Sequence, residues 1–437
     1  MQNFQHWVSS IAEAGKQFLT KAAPKQEDAL EALLEYCDEL CTSKGEAMGT
    51  AIAHEVVGRY NHLDGDLKLA FFQRLSSDYC VDKDGVFDAA QAYNDDPSPN
   101  HYLVLVDAIE SKRLRLFRRI NMAPKGTATI VQMRKDLSRH LKQSPELKSI
   151  DVDLKHLLIS WFNRGFLELK QISWHTPAHI LEKLIAYEAV HEMNGWDDLR
   201  RRLADDRRCF AFFHPSLADE PLIFVQVALV KGIATSVQEL LEPNENPEIG
   251  DADTAIFYSI SNCQTGLNGI SFGNFLIKQV VRELQKELPQ LKHFATLSPI
   301  PGFRKWLVKA MDDKDFALAS TEVKQLLQTI ENSDSWMEDS AMCAKLQPLL
   351  MKLCVHYLYH EKRNEGPLDP VARFHLGNGA SIGQLNWMGD ISENGVKQST
   401  GLLVNYLYEL DKVEENHEAF ANENEVAVSS EIKKLLT

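Results

Sequence analysis

Apolar positions recur with a helical period through the first third of the chain and cluster in strand-like runs beyond it. Leu30, Leu33, Leu34 and Cys37, followed by Leu40 and Cys41, keep an i, i+3, i+4, i+7 rhythm that predicts one buried helix face. YNDDPSPN (93–100) interrupts the rhythm with two prolines and separates two helical groups. ESKRLRLFRRI (110–120) reads as a basic helix, able to touch phosphate but more simply a solvated face. LKHLLISWFNRGFLEL (154–169) closes the helical part.

From about residue 170 the texture changes. RCFAFFHP (208–215), PLIFVQVALV (221–230), DTAIFYSIS (253–261) and LKHFATL (291–297) are short and rich in β-branched or aromatic residues, the composition of strands. Between the last two lies NFLIKQVVRELQKEL (274–288), whose Leu276, Ile277, Val280, Val281, Leu284 and Leu288 form one helical face before Pro289 stops it. The order strand, glycine-rich turn, helix, strand predicts a mixed α/β domain. Residues 310–362 read as helical again, 372–390 as loop and strand, and the acidic 414–425 as a loop before a short last helix. No internal repeat is present.

The chain has 437 residues, enough for two or three domains, and 44% of them are hydrophobic. A formal net charge of −15 argues against general affinity for nucleic acid or anionic membranes. An anionic ligand therefore requires a local site. The seven cysteines are odd in number and contain no CxxC pair, which predicts reduced thiols instead of a disulfide framework or a zinc site. The N-terminus lacks a signal peptide's apolar segment and no apolar run reaches the length of a membrane span, so the cytoplasm is the expected compartment.

Three stretches offer chemistry. In QTGLNGISFGN (264–274), glycines 266, 269 and 273 let backbone approach a ligand closely, and the helix that follows would aim free amides at it. GKS/T is missing, so this is no Walker loop, and a purely structural turn explains it equally well. In FATLSPIPGF (294–303), Ser298 ends an apolar run and is pinned by Pro299 and Pro301 before Gly302. A capping hydroxyl is the plain alternative. If the two flanking strands are parallel, the glycine turn and Ser298 lie at the same sheet edge, where α/β ligands bind. In FHLGNGA (374–380), His375 has apolar neighbours and two glycines beyond it, which favours function, with a satisfied structural histidine as the plain alternative. HExxH does not occur, which argues against metallohydrolases built on that motif.

Together these segments resemble the malonyl-CoA decarboxylase family. The likeness runs in order through WHTPAHILEKLIAYEAVH (174–191), QTGLNGISFGNFLIKQVVREL (264–284), LSPIPGF (297–303), RFHLGNGA (373–380) and LNWMGDIS (385–392). It implies an α+β fold in two domains: an all-helical oligomerisation domain (1–167), then a GNAT-like mixed α/β acyl-CoA-binding catalytic domain (168–437). It implies Ser298 as catalytic proton acceptor and His375 as proton donor. The acyl-CoA loop would be Asn268, Gly269, Ile270, Ser271, Phe272, Gly273 and Asn274, in which Asn268 stands where GNAT pyrophosphate loops usually carry a basic residue and Ser271 where they carry a small one. The implied reaction releases CO2 from malonyl-CoA and leaves acetyl-CoA through a thioester enolate, with no metal or organic cofactor. A GNAT-type acyltransferase and a non-catalytic acyl-CoA sensor are the alternatives. No nucleic acid or membrane partner is expected. A homo-oligomer, dimer or tetramer, is expected through the helical domain, which would hold none of the chemistry and whose surplus apolar faces include Phe4 and Trp7.

Overall fold

The computed structural model describes residues 29–43, 45–242, 249–270, 275–313, 316, 321–332 and 334–436. Phe4 and Trp7, and Ser271 to Asn274 of the glycine turn, lie outside the described residues. The chain forms two units. One contains the chain up to Glu168 together with Phe213–Glu220 and Gln264–Phe272; the other contains Leu169–Phe212, Pro221–Cys263 and Gly273–Thr437.

The first unit is helical: α1 (Ala29–Thr42), α2 (Glu46–His62), α3 (Gly65–Asp78), α4 (Lys83–Asp95), α5 (Pro99–Ile109), α6 (Lys112–Ile120), α7 (Gly126–Ser138) and α8 (Lys148–Trp161). Its helix starts follow the capping rules. Asp64 accepts from the Leu67 amide, Ser111 from the Leu114 amide, and Ser98 caps α5 with Pro99 at the first helical position. The apolar face of α1 is buried at Leu33, Leu34, Cys37 and Leu40. The aromatic core sets Tyr60 against Phe71 and Phe72, with ring centroids 5.6 and 6.4 Å away. The basic helix α6 leaves Lys112, Arg115 and Arg118 exposed and buries Arg113. Arg113 Nε reaches Asp153 at 2.6 Å, Arg118 reaches Glu110 at 2.7 Å, and Arg119 donates to the carbonyls of Leu40 and Ser43. Arg113 and Arg119 tie helices together, and the exposed cations form a solvated face.

The second unit is built on a sheet of β1 (Glu168–Ile172), β2 (Arg207–Phe213), β3 (Pro221–Val230), β4 (Thr254–Asn262), β5 (His293–Thr296), β6 (Ser298–Pro299), β9 (Ser381–Asn386) and β10 (Leu403–Leu407). β7 (Lys362–Arg363) and β8 (Gly366–Pro367) form a separate pair. The main order is β1-β2-β3-β4-β5-β10-β6, with β9 beside β10. β2 and β3 are nearly continuous apolar runs and are buried almost throughout, as central strands covered on both faces must be. Helices α9 (Ala178–Tyr187), α10 (Trp196–Arg202) and α11 (Val237–Leu241) precede β4; α12 (Phe275–Glu287) connects β4 to β5. The predicted face of α12 is buried at Leu276, Ile277, Val280, Val281 and Leu284. The strand–turn–helix–strand order thus makes a crossover, and β4 pairs with β5 in parallel from Thr254↔His293 to Phe257↔Thr296. After β6 come α13 (Phe303–Asp312), α14 (Thr321–Asn332), α15 (Ser340–Tyr359), α16 (Pro370–Gly377), α17 (Glu393–Ser399), α18 (Val413–Glu423) and α19 (Ser430–Leu436).

Two readings change. His375 stands in the last turn of α16 and not in a loop, because Asp369 caps that helix by accepting from the Val371 and Ala372 amides and Pro370 opens it. The acidic 414–425 segment is mostly α18, closed by Asn424 in the left-handed conformation.

The Asp369 carboxylate is fully buried, and burial pushes its pKa up. Asp369→Ala removes the acceptor for two amides and should lower stability by about 1–3 kcal/mol. Asp369→Asn keeps the capping oxygen and should lose clearly less. Urea denaturation of both variants checks this; equal losses would show that the cap is not what holds α16.

Candidate active site

β4 and β5 stay paired for four residues and then separate. The Leu297 amide still donates to the Phe257 carbonyl at 3.0 Å, but Pro299 has no N–H for a ladder and the chain leaves the β4 side, while β4 runs on to Asn262. β10 spans the break: Leu407 lies opposite Ala295 on one side, and Val404 and Leu403 lie opposite Ser298 and Pro299 on the other. Ser298 sits at the corner, buried, with Ile300 beside it as an anchor in the core.

A chain of four side chains meets there. Ser298 Oγ lies 2.8 Å from Thr296 Oγ1 and 3.2 Å from His375 Nε2. His375 Nδ1 lies 2.8 Å from the Tyr408 hydroxyl. The imidazole stacks on Tyr406, centroids 4.6 Å apart and planes 23° from parallel. Thr296 is fixed in turn, since its Oγ1 accepts from the Tyr406 amide at 3.1 Å and its carbonyl from Asn405 Nδ2 at 2.6 Å. Burial alone, with no charged partner, pulls the His375 pKa down to about 3, so the imidazole is neutral near pH 7. Burial likewise pushes the Tyr408 phenol well above its ordinary value. A neutral imidazole holds one proton between two hydroxyls. The chain can therefore be polarised either way, with Tyr408 donating to Nδ1 and Nε2–H facing Ser298, or with Ser298 donating to Nε2.

Ser298 and His375, 77 residues apart, are thus brought together. Tyr408, Tyr406 and Thr296 were not singled out in the sequence. The available signal was the NYLYEL run, where tyrosines two apart share one side of an extended chain, and Thr296 two residues before Ser298.

The described half of the glycine turn belongs to the helical unit. A Cβ on Gly266 would fall 2.1 Å from the Val131 carbonyl of α7, so only glycine fits there. Gly269 has φ +74°, the left-handed conformation. Asn268 and Gly269 are exposed and Ile270 is buried. The helical part therefore seats this turn. Among the described residues no group of three or more His, Cys, Asp or Glu side chains could hold a metal ion.

Comparison with known proteins gives a consistent result. Residues 79–162 match the family model described as the malonyl-CoA decarboxylase N-terminal domain, and residues 165–437 match that of the C-terminal domain. The mitochondrial malonyl-CoA decarboxylase of Anser anser anser is 38% identical over 341 residues, covering 72% of this chain and 68% of that protein. The crystal structure of malonyl-CoA decarboxylase from Rhodopseudomonas palustris is 46% identical, with a TM-score of 0.89 over 93% of this chain and 99% of that one. That from Agrobacterium vitis is also 46% identical, with a TM-score of 0.88 over 93% and 100%. With both parts of the chain matched in order, the protein belongs to the malonyl-CoA decarboxylase family.

Proposed function

We propose that the protein converts malonyl-CoA to acetyl-CoA and CO2 through a thioester enolate, with Ser298 and His375 acting on the acyl end and the Asn268–Asn274 loop taking the coenzyme's pyrophosphate. The observation that carries this reading is the buried Tyr408–His375–Ser298 chain at the point where β4 and β5 part. It provides an aimed, neutral donor and a serine hydroxyl in a water-poor place.

The chemistry sets three requirements. The malonyl carboxylate must stand out of the thioester plane, so that the breaking C–C bond overlaps the carbonyl π system. The electron pair of that bond moves into the thioester as CO2 departs, and the enolate oxygen needs donors already in position. The α-carbon then takes one proton. The thioester is itself the electron sink, so no further acceptor enters the scheme. His375 Nε2 and Ser298 Oγ serve as the donors. The low dielectric that keeps His375 neutral when it is alone also makes an adjacent anion attract a proton to it strongly. In this scheme the substrate carboxylate enters together with a proton on the imidazole. The Tyr406 face steadies that cation. The proton goes to carbon as the enolate collapses, and the imidazole returns to neutral. Tyr408 fixes the ring through Nδ1, and Ser298 accepts or returns a proton along the chain.

The remaining features fit a cytoplasmic homo-oligomer. All seven cysteines are free thiols, which suits a reducing compartment. Among the described residues no helix is long and apolar enough to cross a membrane. Helix α5 has no buried residue, and Tyr102, Leu103, Val104, Val106 and Ile109 on it are exposed, as is Phe87 on α4. A second copy of this chain is the partner we assign to that apolar hairpin.

Incubation with malonyl-CoA should yield CO2 and acetyl-CoA carrying one new deuterium when run in D2O. Ser298→Ala should lower kcat by about 10²–10³. His375→Asn should lower it by roughly 10²–10⁴, with coenzyme A affinity kept in both. The double variant should be little worse than the worse single one. A folded His375→Asn enzyme with near-normal turnover would remove the histidine from the mechanism.

The imidazole also makes a pH signature. His375 titrates at about 3 when folded and near 6.5 when unfolded, so between those values the unfolded chain binds the extra proton. Stability attributable to this residue is complete above about pH 6.5 and falls on acidification by up to about 1.4 kcal/mol per pH unit. Against His375→Asn, the wild type should lose stability more steeply from pH 6.5 to 4.5 in stepped denaturant titrations. Parallel curves would show that the ring is not held neutral.

For the assembly, the double substitution Leu103→Glu and Val106→Glu should reduce the particle mass measured by light scattering. An unchanged mass would place the subunit contact elsewhere.

A further inference from the structure

We propose that the helical unit builds the phosphate end of the coenzyme site, with Arg134 as the positioning residue that fixes the Gln264–Ile270 turn and Lys155 as the cation that meets a coenzyme phosphate. This rests on the reading of that turn as the coenzyme loop. A backbone turn offers amides to an anion only if its carbonyls are held facing away and satisfied. Arg134 does this here. Its Nη1 donates to the carbonyls of both Gly266 and Asn268 at 2.9 Å, and its Nε donates to Asp151 Oδ1 at 2.8 Å. The guanidinium residue is only 8% exposed, so the clamp works out of reach of water. Gly266 lies flush on the Val131 carbonyl of the same helix, which leaves the turn no room to slide.

The opposite side of the turn faces outward. Asn268 and Gly269 are exposed, and the Gly269 amide has no backbone partner among the described residues. The sequence QTGLNGI contains no cation, and the whole protein carries a net charge of −15, so an anion here needs positive charge from another element. Lys155, one helical turn beyond Asp151 on α8, supplies it: its Nζ lies 3.8 Å from the place a Cβ on Gly269 would occupy. No carboxylate among the described residues pairs with it within 4.0 Å, which leaves the ammonium available beside the turn's crown.

The test compares malonyl-CoA with malonyl-pantetheine, which carries the same acyl end but none of the nucleotide phosphates. In the full-length protein, Arg134→Met should raise KM for malonyl-CoA roughly tenfold or more, with kcat changed less than about threefold. Arg134→Lys should recover part of the loss. Lys155→Met should raise KM about two- to fivefold and flatten its dependence on salt. Neither should change kcat/KM for malonyl-pantetheine. Equal losses with both substrates, or an unchanged KM for malonyl-CoA in Lys155→Met and in a folded Arg134→Met, would overturn the proposal. Should Arg134→Met fail to fold, Lys155→Met still decides. Gly269→Val separates the two levels of the argument. If it alone raises KM for malonyl-CoA, the turn is the coenzyme loop and the helical unit is not its wall. If it too has no effect, the loop reading itself is wrong.

Discussion

A single buried carboxylate, Asp369, holds the serine corner and the histidine helix in one frame. Its Oδ1 takes the Val371 and Ala372 amides at 2.9 Å each, its Oδ2 lies 3.4 Å from the Tyr357 hydroxyl, and the Gly302 backbone points at the same group. Gly302 closes the SPIPG turn that begins at Ser298, and Ala372 is three residues before His375. An isolated carboxylate buried this deeply would cost several kcal/mol. Hydrogen bonds to a charged acceptor contribute roughly 1.5–3 kcal/mol each, so several converging donors offset that cost only if none of them is misplaced. The constraint therefore acts in both directions: the helix needs its cap, and the carboxylate needs both segments in register.

The neutral state of His375 follows from the same economy of charge. Among the described residues no charged side chain is hydrogen-bonded to the imidazole; its neighbours are a serine, two tyrosines and the apolar core. A carboxylate partner, as in a hydrolytic triad, would raise the imidazole's pKa and hold its proton more tightly. In the proposed reaction the substrate supplies the negative charge, and that charge disperses as CO2 leaves. A site that becomes charged only with its substrate present couples proton entry to binding and proton loss to product formation.

Much of this could be read from the chain, and what could not has a physical reason. The α12 face and the flanking strands announce themselves because burial on a helix or a central strand imposes a period on the residues. The Ser298 corner is legible because two prolines restrict the backbone locally. Helix α16 is not legible. It has eight residues and ends in Gly377, and it exists because Asp369 caps it and the core receives Ala372 and Leu376. Tyr408 is harder still, since its role comes from β10 joining β5 and β6 from far along the chain, Leu407 opposite Ala295 and Val404 opposite Ser298. That pairing leaves no mark on local spacing.

The glycine turn shows the limit of dividing a chain by sequence order. Residues 264–270 follow β4 directly and precede α12, so contiguity assigns them to the mixed α/β domain. Their hydrogen bonds assign them differently. The Gly266 and Asn268 carbonyls have their charged donor on α7, and the glycine at 266 is required by a carbonyl of α7. A fragment cut near residue 166 would retain every residue of the turn while removing Arg134, Asp151 and the Val131 backbone that shape it. The Gly266 and Asn268 carbonyls would then return to water and the turn would lose the contacts that fix its backbone. The turn therefore groups with the helical unit although it follows β4 in the chain. The unit that fixes a backbone's donors is the one that supplies the missing acceptor or donor partners, wherever in the chain these lie.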